Sequence, residues 1–210
     1  MNCIPDFGKW IWLWGTVCCS GIILYGFSVL DDDWKLCDGE WLWSVWTAVM
    51  MNGSIGFLGK VQEATPIEKV CWMAIAIYLI VCTVMDIVLS QINDVLQYLG
   101  VLGGAVFLWN RENSPLVGIS LILFVMIQYF VFRKLYGKAD TMAFSICAMY
   151  LAGLGGDTEH YLWHMIISFI LMTVVQAFAG NINKRGKLCK PVPMFPYISA
   201  GFIFLIQGKF

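Results

Sequence analysis

Asp86 and Asp140 are the residues of this chain whose type and placement could do chemistry. Asp86 is the only charged residue between Lys69 and Asp94, and the apolar sequence after Asp140 carries no charge until Asp157. A carboxylate at the end of an apolar run is costly to hold beside a bilayer and marks functional sites. Two aspartates within about 3 Å of each other cannot both ionise, so they share one proton. One can then take a proton from water while the other polarises a peptide carbonyl and later protonates the leaving amine. The pair titrates as a unit. Such a hydrolysis needs no metal or cofactor, and none is expected. Spacing alone leaves open a carboxylate-based transporter for a cation or proton. It also leaves open two boundary residues that merely touch headgroups.

The elements that must position these acids are membrane helices. The chain has 210 residues, 60% hydrophobic and 13% charged, where soluble domains carry about 25% charge. Eight stretches are nearly free of charge: 10–30, 41–59, 70–93 (broken only by Asp86), 95–110, 115–132, 141–156, 161–183 and 191–207. A spanning helix needs about 20 apolar residues, with about 17 as the lower limit. Barrel strands would instead show short alternating segments. The expected fold class is all-α, a polytopic membrane helix bundle of about eight transmembrane helices. It reads as one integral membrane domain, with residues 1–69 giving two helices and an acidic loop, and residues 70–210 a six-helix core. The net charge of −1 gives no pointer to nucleic acid. MNCIPDFGKW has no basic region ahead of its first apolar run, so that run is expected to stay as an anchor.

Lysine and arginine set the orientation. Arg133, Lys134 and Lys138 crowd one loop, and Lys184, Arg185, Lys187 and Lys190 another. With eight spans both loops fall on one side, taken as cytoplasmic, which puts both termini outside. The helix ending near Asp86 and the helix starting at Asp140 then meet the same face. The loop Asp31–Glu40 lies there too, although it is acidic. Tryptophans such as Trp10, Trp41, Trp109 and Trp163 fit interfacial anchors, and Gly103, Gly104 and Gly153 permit close helix approach. Gly155-Gly156-Asp157 reads as a helix end. Of eight cysteines, five lie in apolar runs and none form C-x-x-C, so reduced packing residues are expected. His160 and His164, four apart, could place two metal ligands on one helix face. Without further ligands they read as interfacial polar residues. Gln128 and Gln176 are the polar groups a transport path would use.

Three short motifs carry a resemblance. Met85 to Gly100, MDIVLSQINDVLQYLG, resembles the first motif of type IV prepilin peptidases, in which a membrane aspartate precedes Ile-Pro-Asn by six residues. Here Ile92, Asn93 and Asp94 follow Asp86 at that spacing. Gly137-Lys138-Ala139-Asp140 is similar to the family's G-x-G-D, which opens a membrane helix. Pro191-Val192-Pro193-Met194-Phe195-Pro196 resembles its proline-rich third landmark. The resemblance covers about residues 70 to 210.

It implies that Asp86 and Asp140 are catalytic in an intramembrane aspartic endopeptidase of the cytoplasmic (inner) membrane. Such enzymes cut the basic leader from type IV prepilins or pseudopilins, which would be the partners besides the bilayer. Asp31, Asp32 and Asp33 could attract that leader electrostatically. The cysteine-rich loop of larger, N-methylating members is missing, so peptidase activity alone is implied. Asn93-Asp94 replace the helix-ending Pro-Asn, so two weak helix formers must end the helix after Asp86. Ala139 replaces the second motif glycine, which its methyl permits only where φ is negative. A peptidase-like assembly partner without activity is the remaining alternative.

Overall fold

The structure, a computed structural model, describes residues 7–30, 39–58, 61, 63–111, 114–178 and 192–208; at 7–9, 27–30, 39–44 and 57 it describes the backbone alone. Among these residues every regular element is helical, and there are eight helices. They are α1 (Phe7–Leu30), α2 (Gly39–Gly53), α3 (Pro66–Leu89), α4 (Asp94–Trp109), α5 (Pro115–Tyr136), α6 (Lys138–Gly153), α7 (Thr158–Phe178) and α8 (Phe195–Gln207). Each of the eight charge-poor stretches falls on one of them. Three, α3, α5 and α7, are long and apolar enough to cross a membrane, and Trp10–Gly26, α4 and α8 are shorter apolar helices. The described residues are thus all-helical, with long apolar helices of the kind that membranes hold. Asp31–Asp33, Cys3, Cys37, Cys189, Pro191 and the basic stretch 184–190 lie outside the described residues.

The chain divides into two compact units, Met1–Ile92 and Asn93–Phe210. In the first, α3 packs against both α1 and α2. Its start is written in the sequence Thr65-Pro66-Ile67-Glu68. The Thr65 side chain accepts from the Glu68 N–H, Glu68 Oε2 accepts from the Thr65 N–H at 2.8 Å, and Pro66 takes the first helical position. This reciprocal cap satisfies two donors the helix leaves orphaned. Trp72, Ile75, Leu79, Ile80, Val81 and Val84 then form the buried face of α3. Trp72 is wholly buried, so it is a core residue and not an anchor. Trp109, 90% exposed at the end of α4, has the placement an interfacial anchor needs.

In the second unit everything packs on α6, which touches α4, α5, α7 and α8. Beyond its polar first turn its sequence is apolar on nearly every side, as a central helix requires; Ala143, Phe144, Ile146, Cys147, Ala148, Leu151 and Ala152 are fully buried. The helix ends in a Schellman motif. Gly155 (φ +87°) sits beyond its end, the Gly156 N–H reaches Leu151 O at 2.9 Å and the Gly155 N–H reaches Ala152 O at 2.8 Å. Glycine supplies the left-handed residue such an ending needs. Tyr161 of α7 donates to Gly156 O at 2.9 Å and fixes the turn to the next helix.

Small residues set the α4–α6 approach. A Cβ on Gly153 would lie 2.6 Å from the Phe107 ring, and one on Gly104 3.1 Å from Met149. Phe107 is itself stacked on Tyr150 at 4.9 Å, so it has nowhere to go. Gly153→Ala is therefore expected to lower stability by about 1–3 kcal/mol through overpacking. Thermal unfolding in detergent reads this; an unchanged midpoint would mean that α4 and α6 are not this close.

Candidate active site

Asp86 lies in the last turn of α3, half-buried, and its carbonyl accepts from the Ser90 N–H at 3.1 Å. Ser90 is the residue that ends the helix. With φ 53° and ψ 24° it is the one described non-glycine residue in the left-handed region. The break after the first aspartate thus comes three residues before Asn93-Asp94. Asn93 instead caps the next helix, its Oδ1 accepting from the Val95 N–H at 2.8 Å, and Asp94 is the first residue of α4. Asparagine and aspartate do what their short acceptors favour, which is to start a helix. Ile92 lies half-buried in the four-residue link, 90–93.

The left-handed conformation costs a serine roughly 1–2 kcal/mol, a strain glycine does not carry. Ser90→Gly is expected to retain or slightly raise stability. Ser90→Pro, which can neither adopt φ 53° nor donate to Asp86 O, should lower it by roughly 3 kcal/mol or more. Comparison of the two melting temperatures checks this, and equal values would place the helix end elsewhere.

Asp140 sits in the first turn of α6, also half-buried. The sequence presents Arg133 to Ala139 as a basic loop, but Arg133–Tyr136 continues α5 and Lys138 already begins α6. Gly137 alone makes the break, with φ 104° and ψ 169°, a conformation open essentially to glycine only. Its carbonyl accepts from Thr141 Oγ1 at 2.6 Å and from the Thr141 N–H at 3.3 Å. Ala139 is an ordinary helical residue, so the methyl in place of the motif's second glycine meets no backbone conflict.

The structure brings two of the motifs together within the second unit. Lys138 Nζ donates to Asp94 Oδ2 at 2.6 Å, joining the start of α4 to the start of α6. The hydrogen bond to the Asp94 carboxylate raises the Lys138 pKa. A raised lysine pKa means that the pair is intact below the ordinary lysine range and is lost only as pH rises through the raised value above it. Being exposed, it orients more than it stabilises. Asp86 belongs to the first unit and Asp140 to the second; the boundary falls between Ile92 and Asn93, inside the first motif.

Pro193 lies half-buried in the lead to α8, and Pro196 stands in its first turn. Next to it, Tyr197 accepts a hydrogen bond from Gln176 of α7 at 2.7 Å.

No family model, curated protein or solved structure matches the chain. The site therefore stands on its own residues.

Among them the sequence misplaces His164. It is fully buried between α6, α7 and α8, against the rings of Phe144 and Phe202, with Nε2 2.9 Å from Ile198 O. Nδ1 has no partner. It is thus no interfacial residue. His160 pairs instead with Asp157 at 2.9 Å, and its hydrogen bond holds that carboxyl below the usual range. Among the described residues no group of three or more His, Cys, Asp or Glu could hold a metal ion. Five described cysteines are free thiols, of which Cys71, Cys82 and Cys147 are buried.

Proposed function

We propose that the chain is a membrane-embedded aspartic endopeptidase that removes the basic leader from type IV prepilins or pseudopilins. On this reading about eight helices span the cytoplasmic membrane, and both aspartates stand at its cytoplasmic face. The observation that carries it is the presentation of Asp140. A Gly137 break, in a conformation only glycine adopts freely, opens the central helix of its unit three residues before that carboxylate. The Lys138–Asp94 pair supports it further, by tying the tail of the first motif to the second.

Asp86 and Asp140 share one proton in the proposed mechanism. The ionised carboxylate accepts a proton from water as its oxygen attacks the scissile carbonyl carbon. The protonated partner gives its proton to the carbonyl oxygen, leaving a neutral tetrahedral diol. Proton transfer to the amide nitrogen then breaks the C–N bond, and the leader leaves as an acid while the mature chain keeps its amine. No metal or cofactor takes part.

A second reading, a small proton or cation transporter, draws on the buried polar groups Gln128, Thr141, His164, Ser168, Gln176 and Ser199 of the second unit. Several of these bond to neighbouring helix groups, as in Gln176 to Tyr197 and His164 to Ile198. Such bonds clamp helices together and do not need a permeant ion. Co-expression with type IV prepilins in membranes decides between the two. The peptidase releases the leader, seen as a mobility shift on a gel, and the variant with both aspartates changed to Asn does not. An intact precursor beside well-folded wild-type protein would sink the peptidase reading.

A further inference from the structure

We propose that Tyr136 and Gln128 are positioning residues for Asp140, an inference that rests on the peptidase reading for its kinetic consequence. Gln128 opens a π-helical stretch, Gln128–Phe132, inside α5. Such single widened turns inside an α-helix are rare and are frequent at functional sites. Their effect here is a matter of phase. In a regular helix each residue turns by about 100°, so i+7 lies almost directly over i while i+8 stands about 80° round from it. One extra residue in the turn moves Tyr136, eight residues on, to where a seventh residue would stand. Side chains lean back towards the helix start, so the Tyr136 hydroxyl can reach Gln128.

It does so, donating to Gln128 Oε1, while Gln128 Nε2 donates to Met165 Sδ of α7. Gln128 is wholly buried, and an amide there without partners would be costly. The Tyr136 ring is held from three sides, stacked on Phe132 and edge-on to Phe144 of α6 and Phe169 of α7, each at 5.7 Å. Tyr136 is followed directly by Gly137, whose backbone has lost the continuity that would otherwise fix α6 to α5. The ring and hydroxyl therefore set the point from which Asp140 is launched.

Three variants of the full chain test this: Tyr136→Phe, Gln128→Leu, and both together. Tyr136→Phe strands the buried Gln128 amide oxygen and Gln128→Leu the half-buried Tyr136 hydroxyl, while the double change removes both partners and restores an apolar contact that can be nearly neutral for folding. Two readouts separate positioning from structure. In prepilin cleavage, the double variant is expected to recover wild-type thermal stability yet keep a kcat about 10- to 100-fold low, with KM within about twofold. Recovery of kcat together with stability would overturn the proposal.

The second readout needs no substrate. Carbodiimide modification of Asp140, followed by mass spectrometry of its peptide, is expected to change several-fold in rate in Tyr136→Phe while that of Asp86 holds. Equal Asp140 rates in wild type and variant would overturn the proposal. A wild type that cleaves no prepilin would end the peptidase reading, and the labelling rates would then decide the positioning role alone.

Discussion

Asp86→Asn and Asp140→Asn are each expected to lower the rate of leader cleavage by about 10²- to 10⁴-fold, the range a positioned general acid or base supplies. The amide has nearly the volume of the carboxyl, so packing and helix ends should survive and melting temperatures should stay close to wild type. What is lost is a group able to gain and release a proton. In the proposed mechanism the pair acts as one device, so the double variant should be no slower than either single one. Additive losses would mean two independent roles and would rule out a shared proton. The pH–rate profile offers a further check. A proton-sharing pair gives a bell whose limbs belong to the pair, and neither single variant should retain that shape. Initial rates on purified prepilin in detergent, taken across pH, supply all of these values.

Much of the architecture could be read from the sequence, because in lipid the apolar stretch and the helix are nearly the same object. All eight charge-poor runs fall on helices. Their ends were less legible, since composition records where charge begins and not where hydrogen bonding stops. The run 70–93 holds a helix that ends at Leu89, because Ser90 adopts a left-handed conformation that nothing in its residue type announces. The run of basic residues before Asp140 suggests a loop, yet Arg133 and Lys134 are helical and Gly137 alone is the turn. His164 reads as a boundary residue by its nearness to Asp157, and the structure buries it. Four residues along a helix is more than one turn, about 6 Å, which is enough to leave an interface and enter a core. Tyr136 and Gln128 were not legible as a pair, because their contact depends on a widened turn that shifts helical phase. The Lys138–Asp94 pair joins residues 44 apart, a distance over which local pattern carries no information.

The two glycine positions of the G-x-G-D-like motif are expected to behave in opposite ways. At Gly137, φ 104° and ψ 169° belong to a region that costs an L-residue roughly 1–3 kcal/mol. Beyond the adjoining residues of the chain, no atom lies within 4 Å of a Cβ built there, so the penalty of Gly137→Ala would be conformational and no rearrangement of neighbours could relieve it. The chain would escape by rotating the Gly137 peptide, whose carbonyl both the hydroxyl and the N–H of Thr141 now use. Asp140 lies between those residues in sequence and would move with that turn. A displacement of about 1 Å at a catalytic group can cost about 100-fold in rate, so Gly137→Ala should lose most cleavage while the protein still folds. Ala139 sits within the first turn of α6 in ordinary helical conformation. Ala139→Gly, which restores the residue the resembling family carries, should gain nothing and should lose up to about 1 kcal/mol of helix stability. Cleavage rates and melting temperatures of the two variants, measured side by side, test the claim. Full activity in Gly137→Ala, or a gain in Ala139→Gly, would mean that the strained residue of this motif is not the first glycine and that Asp140 is presented by some other backbone turn.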